Sequence, residues 1–169
     1  MNDTLYFAYG SNMNLSQMAY RCPNAKAVGI ARVENYKLAF CGNSGGRGVA
    51  TILQSQGNHV DGVLWQITAD CEKSLNLYEG YPHLYGKEKI RVCSPGRPPQ
   101  IVMVYTMNEP YRSCPAVPSR GYLNGILEGC RQNGISTRHI YTALQKMREL
   151  PDGQQSLFPR KTKPWEHER

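Results

Sequence analysis

The sequence contains no apolar run of the roughly 18 residues or more that a membrane-spanning helix requires. Its first residues also lack the basic segment followed by an apolar segment that is typical of a secretory signal. No internal repeat is visible, which argues against a repeat array. These absences exclude membrane-spanning and secreted classes from the prediction and favour a cytoplasmic protein.

Patterns that bind metals or phosphates are also absent. The six cysteines are scattered without a Cys-x-x-Cys pair, and no histidine lies near them at the spacing of a metal ligand. We therefore predict free thiols in a reducing compartment and no metal site. The glycine-rich residues 43–48 lack the Gly-Lys-Ser/Thr ending of a phosphate-binding loop, so we interpret them as a hairpin loop.

Acidic residues are in the minority, 13 against 20 lysines and arginines, and the formal net charge is +7. Such an excess favours acidic partners or substrates. Part of it is concentrated in residues 160–163, and no RNA-binding pattern of aromatic residues along a basic stripe is present. We therefore expect no nucleic-acid partner.

The length and composition are those of one globular domain. The chain has 169 residues, of which 40% are hydrophobic, enough for a substantial core. The apolar pattern ends near residue 151, and the residues beyond it are polar. We predict a domain over residues 1–151 and a polar C-terminal tail over residues 152–169.

The most informative stretch begins at Leu5, where an apolar, aromatic run alternates with a period of two and stops at Gly10-Ser11-Asn12. The alternation predicts a strand. Asn14 with Gln17 three residues later predicts a capping box at the start of a helix. A strand, a glycine turn and a helix start together favour a cradle for a carboxylate or an oxyanion, although an ordinary turn fits the spacing too.

The same alternation predicts which faces of the strand the two tyrosines of this run occupy. Tyr6 and Tyr9 have opposite parity along the strand, so we expect at most one of them to face a common cavity.

The rest of the chain contains many short strand patterns and a few helical ones. Asp70 is a candidate N-cap for a helix that Gly80 would end, which places Glu79 in its last turn. A two-residue turn at residues 34–35 would separate two further strands. We predict an α+β domain with a closed or strongly curved sheet. The predicted strands cover residues 27–33, 36–41, 49–53, 59–67, 87–93 and 100–107; two helices follow Ser119 and Ser136 or Thr137.

Glu79 is the candidate carboxylate. The end of a helix carries partial negative charge, which disfavours an ionised acid there. Neighbouring apolar and aromatic residues would raise the pKa of Glu79 further if they walled the same site. A carboxyl group tuned towards neutral pH can accept and return a proton. The alternative is a solvated glutamate that happens to end a helix.

Several motifs occur in one order along the chain: residues 6–12, 48–52, 60–67, 77–82 with Tyr85, and 118–122. In that order they resemble the gamma-glutamylcyclotransferase family. The resemblance covers about residues 5–150 and is far more specific than any single motif. It implies a small mixed β-barrel flanked by short helices, with the active site in a cavity at one mouth.

The resemblance also implies a reaction. The α-amine of a γ-glutamyl group attacks its own side-chain carbonyl, forms 5-oxoproline and releases the attached amine without a cofactor. Glu79 is implied as the general base and acid. Tyr85 and Tyr105 are weaker binding candidates, since each could equally be a core tyrosine with its hydroxyl satisfied. The implied ligand is a small γ-glutamyl molecule, and the residues implied to bind it are Tyr6, Tyr9, Gly10, Ser11, Asn12, Tyr85 and Tyr122.

Two questions stay open at this point. Arg47, Arg112 and Arg120 either meet a second carboxylate on the leaving group or are solvated surface charges. The leaving group itself is an amino acid, an amine or a biosynthetic intermediate. A non-catalytic ligand-binding or interaction module on the same fold is the alternative function, since fold does not dictate function. Retention of the Gly-Ser-Asn loop and Glu79 argues against it.

Overall fold

The computed structural model of the protein describes residues 3–42 and 47–149. The predicted tail over residues 152–169 and most of the hairpin loop predicted at 43–48 lie outside the described residues. The described chain forms five strands: β1 (Thr4–Ala8), β2 (Lys26–Gly42), β3 (Gly48–Ile67), β4 (Tyr85–Val92) and β5 (Gln100–Met107). Four helices accompany them: α1 (Leu15–Arg21), α2 (Ala69–Glu79), α3 (Arg120–Asn133) and α4 (Arg138–Arg148). The predicted α+β class is confirmed.

The five strands form one sheet in the order β2-β3-β1-β5-β4. β1 is central, antiparallel to β3 and parallel to β5. One edge strand, β2, meets the residue that follows the other edge strand, β4, at an isolated antiparallel bridge, where Arg32 and Cys93 exchange backbone hydrogen bonds of 2.8 and 2.9 Å. Because this contact brings the two edges together, the sheet must be strongly curved. A barrel requires a continuous ladder between first and last strands, so the predicted β-barrel is wrong.

The turn predicted at residues 34–35 is also wrong. Asn35 has a left-handed φ of 64°, and the pairing register shifts between Glu34 and Tyr36. A two-residue hairpin of type I′ needs positive φ at both central residues, whereas one such residue produces a bulge. β2 therefore continues through Asn35. β3 likewise continues through residues 54–58, so the two patterns predicted on each side are single long strands.

The helix caps place the ends of the helices close to the predicted positions. Asn14 caps α1 by accepting from the Gln17 N–H at 3.1 Å. The reciprocal half of the capping box is not formed, because the Asn14 N–H donates to Ser11. The cap of α2 is Thr68 rather than the predicted Asp70, which lies in the first turn. Gly80 ends α2 in a left-handed conformation, so Glu79 is its last residue as predicted.

The core lies between the curved sheet and the helices, around Phe7 and Leu64, neither of which is exposed to solvent. All six cysteines are free thiols, as predicted. Within residues 3–42 and 47–149, no helix is long and apolar enough to cross a membrane. In the same ranges no three His, Cys, Asp or Glu residues are grouped as a metal site would require.

Candidate active site

A cavity of about 180 Å³ opens where the end of β1, the end of α2 and the start of α3 meet. All eight residues predicted from the sequence line it, together with the weaker candidate Tyr105. Tyr78, one of the aromatic neighbours of Glu79 expected to wall the site, lines it as well. Three further lining residues, Val49, Ala50 and Leu84, were not predicted from the sequence. The full lining is Tyr6, Tyr9, Gly10, Ser11, Asn12, Val49, Ala50, Tyr78, Glu79, Leu84, Tyr85, Tyr105 and Tyr122.

Both Tyr6 and Tyr9 face this cavity, so the parity argument is wrong. β1 ends at Ala8, and alternation applies only to residues within a strand. Tyr9 lies beyond that end, and its hydroxyl donates to the Tyr105 carbonyl. The chain leaves the sheet one residue earlier than the sequence pattern suggests.

Residues 10–12, here the 10–12 loop, form the polar side of the cavity. The Met13 N–H donates to the Gly10 carbonyl at 3.0 Å and closes a 3-10 turn. The N–H groups at the start of such a turn have no partner within it, so they are available to an anion. Trp65 Nε1 fixes the loop by donating to the Asn12 carbonyl at 3.0 Å. These two hydrogen bonds hold the backbone of the 10–12 loop, where the anion cradle is predicted.

Gly10 keeps the space beside the loop open. A Cβ added at Gly10 would lie 3.3 Å from the Ala50 Cβ and 3.6 Å from the Tyr122 hydroxyl. Both neighbours line the cavity. A side chain here would therefore occupy volume that a ligand can use.

Glu79 lies half-buried at the end of α2 and presents its carboxyl group to the cavity. Burial raises the pKa of Glu79 to about 7, and the nearby charge of Arg21 opposes this rise. Asn12 Nδ2 donates to Glu79 Oε1 at 3.3 Å. The predicted direction of the pKa shift is confirmed, with burial as its main cause.

The tyrosines of the cavity are neutral hydrogen-bonding groups. Burial raises the pKa of Tyr6, Tyr85 and Tyr122 above the usual value, so their hydroxyls keep their protons at neutral pH. Tyr6 accepts from Asn12 Nδ2 at 3.0 Å, and Tyr122 accepts from the Ala50 N–H at 2.9 Å. Each of these two hydroxyls retains its own proton for a further bond.

The three arginines considered in the sequence are not among the lining residues. Arg112 pairs with Glu109 at 3.1 Å, and Arg120 is exposed at the start of α3. The arginine beside the site is Arg21, at the end of α1, which contacts the 10–12 loop. Arg21 follows the cap Asn14 by seven residues, about two helical turns, so the two residues lie on the same side of the helix. This spacing was the sequence signal that could have identified Arg21.

The comparisons with known proteins agree with this geometry. The family model described as "Gamma-glutamyl cyclotransferase, AIG2-like" matches residues 6–124. The chain belongs to this family. Every residue that lines the cavity falls within the matched range.

Proteins of similar sequence include the gamma-glutamylcyclotransferases of Homo sapiens and Bos taurus. The human protein is 35% identical over 139 residues, which cover 78% of this chain and 72% of the relative. The bovine protein is 34% identical over 139 residues with the same coverage. A solved structure of a gamma-glutamyl cyclotransferase is 27% identical, with a TM-score of 0.74 over 98% of this chain and 94% of that one. The predicted fold family is confirmed.

Proposed function

We propose that this protein cyclises a γ-glutamyl group to 5-oxoproline and releases the attached amine or amino acid. The supporting observation is the Glu79 carboxyl group, with a pKa of about 7, in one cavity with the 10–12 loop. In the reaction, the α-amine nitrogen bonds to the γ-carbonyl carbon, and the bond from that carbon to the leaving nitrogen breaks. The relatives named above carry this activity in their names.

Glu79 acts as the proton carrier in both halves of the reaction. An α-ammonium group cannot attack a carbonyl, so the Glu79 carboxylate first removes a proton from it. The resulting carboxylic acid then gives that proton to the leaving nitrogen, and the regenerated carboxylate takes the second proton from the attacking nitrogen, which keeps one N–H in 5-oxoproline. With a pKa of about 7, both forms of Glu79 are populated near neutral pH.

The remaining groups bind the substrate and stabilise the developing charge. N–H groups at the start of the 10–12 loop and the hydroxyls of Tyr6 and Tyr122 are donors that a carboxylate or an oxyanion requires. A cavity of about 180 Å³ restricts the flexible glutamyl chain to compact shapes. Well-oriented intramolecular reactions reach effective molarities of about 10⁵ M or more, so restriction alone accelerates ring closure.

The proposed ligand is a small γ-glutamyl molecule, since the cavity is small and is walled by neutral aromatic groups around one acid. Proton transfer and orientation complete the reaction, so no cofactor is required. We place the protein in the cytoplasm and expect no nucleic-acid partner.

The decisive experiment follows the oxygen atoms. In ¹⁸O-labelled water, γ-glutamyl compounds should give 5-oxoproline without solvent oxygen, because the attacking atom is the substrate's own nitrogen. Acetylation of that nitrogen should abolish turnover. Glutamate carrying ¹⁸O as the first product would establish hydrolysis instead. Binding of γ-glutamyl compounds without any product would favour the alternative, a non-catalytic binding module.

A second experiment tests the role of Glu79 as the proton carrier. Glu79→Gln should lower kcat at least about 10²-fold, because the amide keeps the shape of the side chain but cannot accept the ammonium proton. Glu128→Gln is the matched control, since Glu128 is exposed on α3 and pairs with Arg131 at the surface. Near-normal turnover by folded Glu79→Gln would contradict the assignment.

A further inference from the structure

We propose that Arg21 is a positioning residue for Glu79: its guanidinium group fixes the Asn12 side chain, which then presents an N–H donor to the Glu79 carboxylate. The kinetic part of this inference rests on the proposed function. The structural part concerns the orientation and ionisation of Glu79 and is measurable without substrate.

The Asn12 side chain is an amide whose orientation depends on its neighbours. An asparagine side chain has one acceptor oxygen and one donor nitrogen, and its two orientations have nearly the same shape. Arg21 Nη1 lies 2.7 Å from Asn12 Oδ1. Because a guanidinium group only donates, the Asn12 oxygen must face Arg21. The Asn12 nitrogen is thereby turned towards the cavity.

The nitrogen then bonds to two residues of the proposed machinery. Asn12 Nδ2 donates to the Tyr6 hydroxyl at 3.0 Å and to Glu79 Oε1 at 3.3 Å. The bond to Glu79 would be lost if the amide rotated by half a turn, since the Asn12 oxygen would then face a carboxylate oxygen. The Tyr6 hydroxyl can donate as well as accept, so it does not distinguish the two orientations. Arg21 therefore selects the orientation in which Asn12 supports a carboxylate at Glu79.

Arg21 is itself held in place by aromatic and polar contacts. The centre of its guanidinium group lies 3.5 Å from the centroid of the Tyr78 ring. Arg21 Nη1 also donates to Ser11 Oγ at 3.3 Å, and Ser11 Oγ lies 2.9 Å from the Tyr78 hydroxyl. Tyr78 and Glu79 are adjacent on α2, so these contacts connect the end of α1, the 10–12 loop and the end of α2.

The charge of Arg21 acts in the same direction as the Asn12 donor. Among the described residues, Arg21 is the charged group that acts on the Glu79 carboxyl, and it lowers its pKa. The other titratable groups facing Glu79 are tyrosines, which burial keeps neutral at neutral pH. They are Tyr6, Tyr9, Tyr78, Tyr85, Tyr105 and Tyr122.

The test compares Arg21→Met, Arg21→Lys and the control Arg131→Met, an exposed arginine on α3. The pKa of Glu79 is read from the ¹³C resonance of its carboxyl group, identified by its disappearance in Glu79→Gln. Arg21→Met should raise this pKa by roughly one unit, the effect of losing one nearby opposite charge. The acidic limb of the profile of kcat/KM against pH should move to higher pH by the same amount, because at any given pH a larger fraction of Glu79 is protonated.

Arg21→Lys separates charge from orientation. An ammonium group keeps the charge but cannot stack its plane on Tyr78 or match two acceptors with a rigid fork. We expect the Glu79 pKa to stay near the wild-type value while kcat falls by about tenfold. Arg131→Met should leave both quantities unchanged, because it removes an exposed pair with Glu128.

Two results would overturn the inference. One is a Glu79 pKa in folded Arg21→Met that equals the wild-type value. The other is a wild-type kcat in Arg21→Lys, which would show that orientation of Asn12 does not matter. If the wild-type protein forms no 5-oxoproline, the proposed function fails, but the titration of Glu79 still decides the role of Arg21. If Arg21→Met does not fold, Arg21→Lys decides it.

Discussion

At the scale of the residue, the Glu79 carboxyl group serves the proposed reaction but lowers the stability of the fold when it ionises. Its pKa rises from 4.5 to about 7 on folding, so the folded protein binds more protons than the unfolded chain between these pH values. The contribution of Glu79 to stability therefore falls as the pH rises through this window. The loss is absent below about pH 4.5 and complete above about pH 7. A shift of this size corresponds to at most roughly 3 kcal/mol when Glu79 ionises, and the actual cost is smaller because the side chain is only half-buried and solvent screens its charge.

This sign gives a prediction for Glu79→Gln that is independent of turnover. The neutral amide avoids the cost of ionisation, so the variant should unfold at higher urea concentration than wild type at pH 8. At pH 4.5 the two proteins should be nearly equally stable, because Glu79 is then protonated. Glu128→Gln, at an exposed position, serves as the control. If the difference in stability between Glu79→Gln and wild type were the same at both pH values, burial would not raise the pKa of the Glu79 carboxyl group.

At the scale of the element, α2 delivers Tyr78 and Glu79 to the cavity with its last turn, while its first turn is fixed by Thr68. Thr68 Oγ1 accepts from the Cys71 N–H at 3.2 Å. Thr68→Ala removes this cap and should lower the free energy of unfolding by about 1 kcal/mol. Turnover at saturating substrate should change little, because Glu79 lies at the opposite end of the helix.

Thr68→Ser is the matched control for this prediction, since its hydroxyl can accept the same bond. Urea unfolding followed by circular dichroism measures both variants. If Thr68→Ala and Thr68→Ser were equally stable, the cap hydrogen bond would not contribute to the free energy of unfolding. A loss of turnover in Thr68→Ala that exceeds its loss of stability would show that the start of α2 also positions Glu79.

At the scale of the whole molecule, the curved sheet and its helices enclose most of the thiols. Cys22, Cys41, Cys71 and Cys130 are at most 4% exposed, whereas Cys93 and Cys114 are exposed. Burial also raises the pKa of Cys22 to about 12 and that of Cys41 and Cys130 to about 11. Cys22, Cys41 and Cys130 are therefore both inaccessible and protonated near neutral pH. Burial acts to raise the pKa of Cys71 too, but hydrogen bonds, chiefly with Thr68, outweigh it and lower that pKa, so Cys71 is protected by its inaccessibility alone.

A thiol reagent should accordingly modify two cysteines rapidly in the native protein and all six after denaturation. A double variant, Cys93→Ser with Cys114→Ser, should lose the rapid phase completely. Absorbance of the released chromophore counts the thiols in each phase. Rapid modification of a third cysteine in the folded protein would contradict the enclosed core.

The sequence by itself predicted the features that depend on near neighbours. Asn14 as a cap, Gly80 as a helix end and the hairpin of β4 and β5 follow from signals that act over a few residues. The position of Glu79 at the end of α2 follows from the same signals. The resemblance in ordered motifs then identified the eight candidate residues that the cavity brings together.

The tertiary structure alone decided how distant segments meet. The approach of β2 and β4 at one bridge depends on the curvature of the complete sheet, which no local pattern encodes. The continuation of β2 through Asn35 depends on its pairing with β3. Arg21 has its role because α1 packs beside the end of α2, bringing its guanidinium group against Asn12 and the Tyr78 ring. Local signals record the conformation of a segment, whereas these contacts depend on where non-local packing places one segment against another.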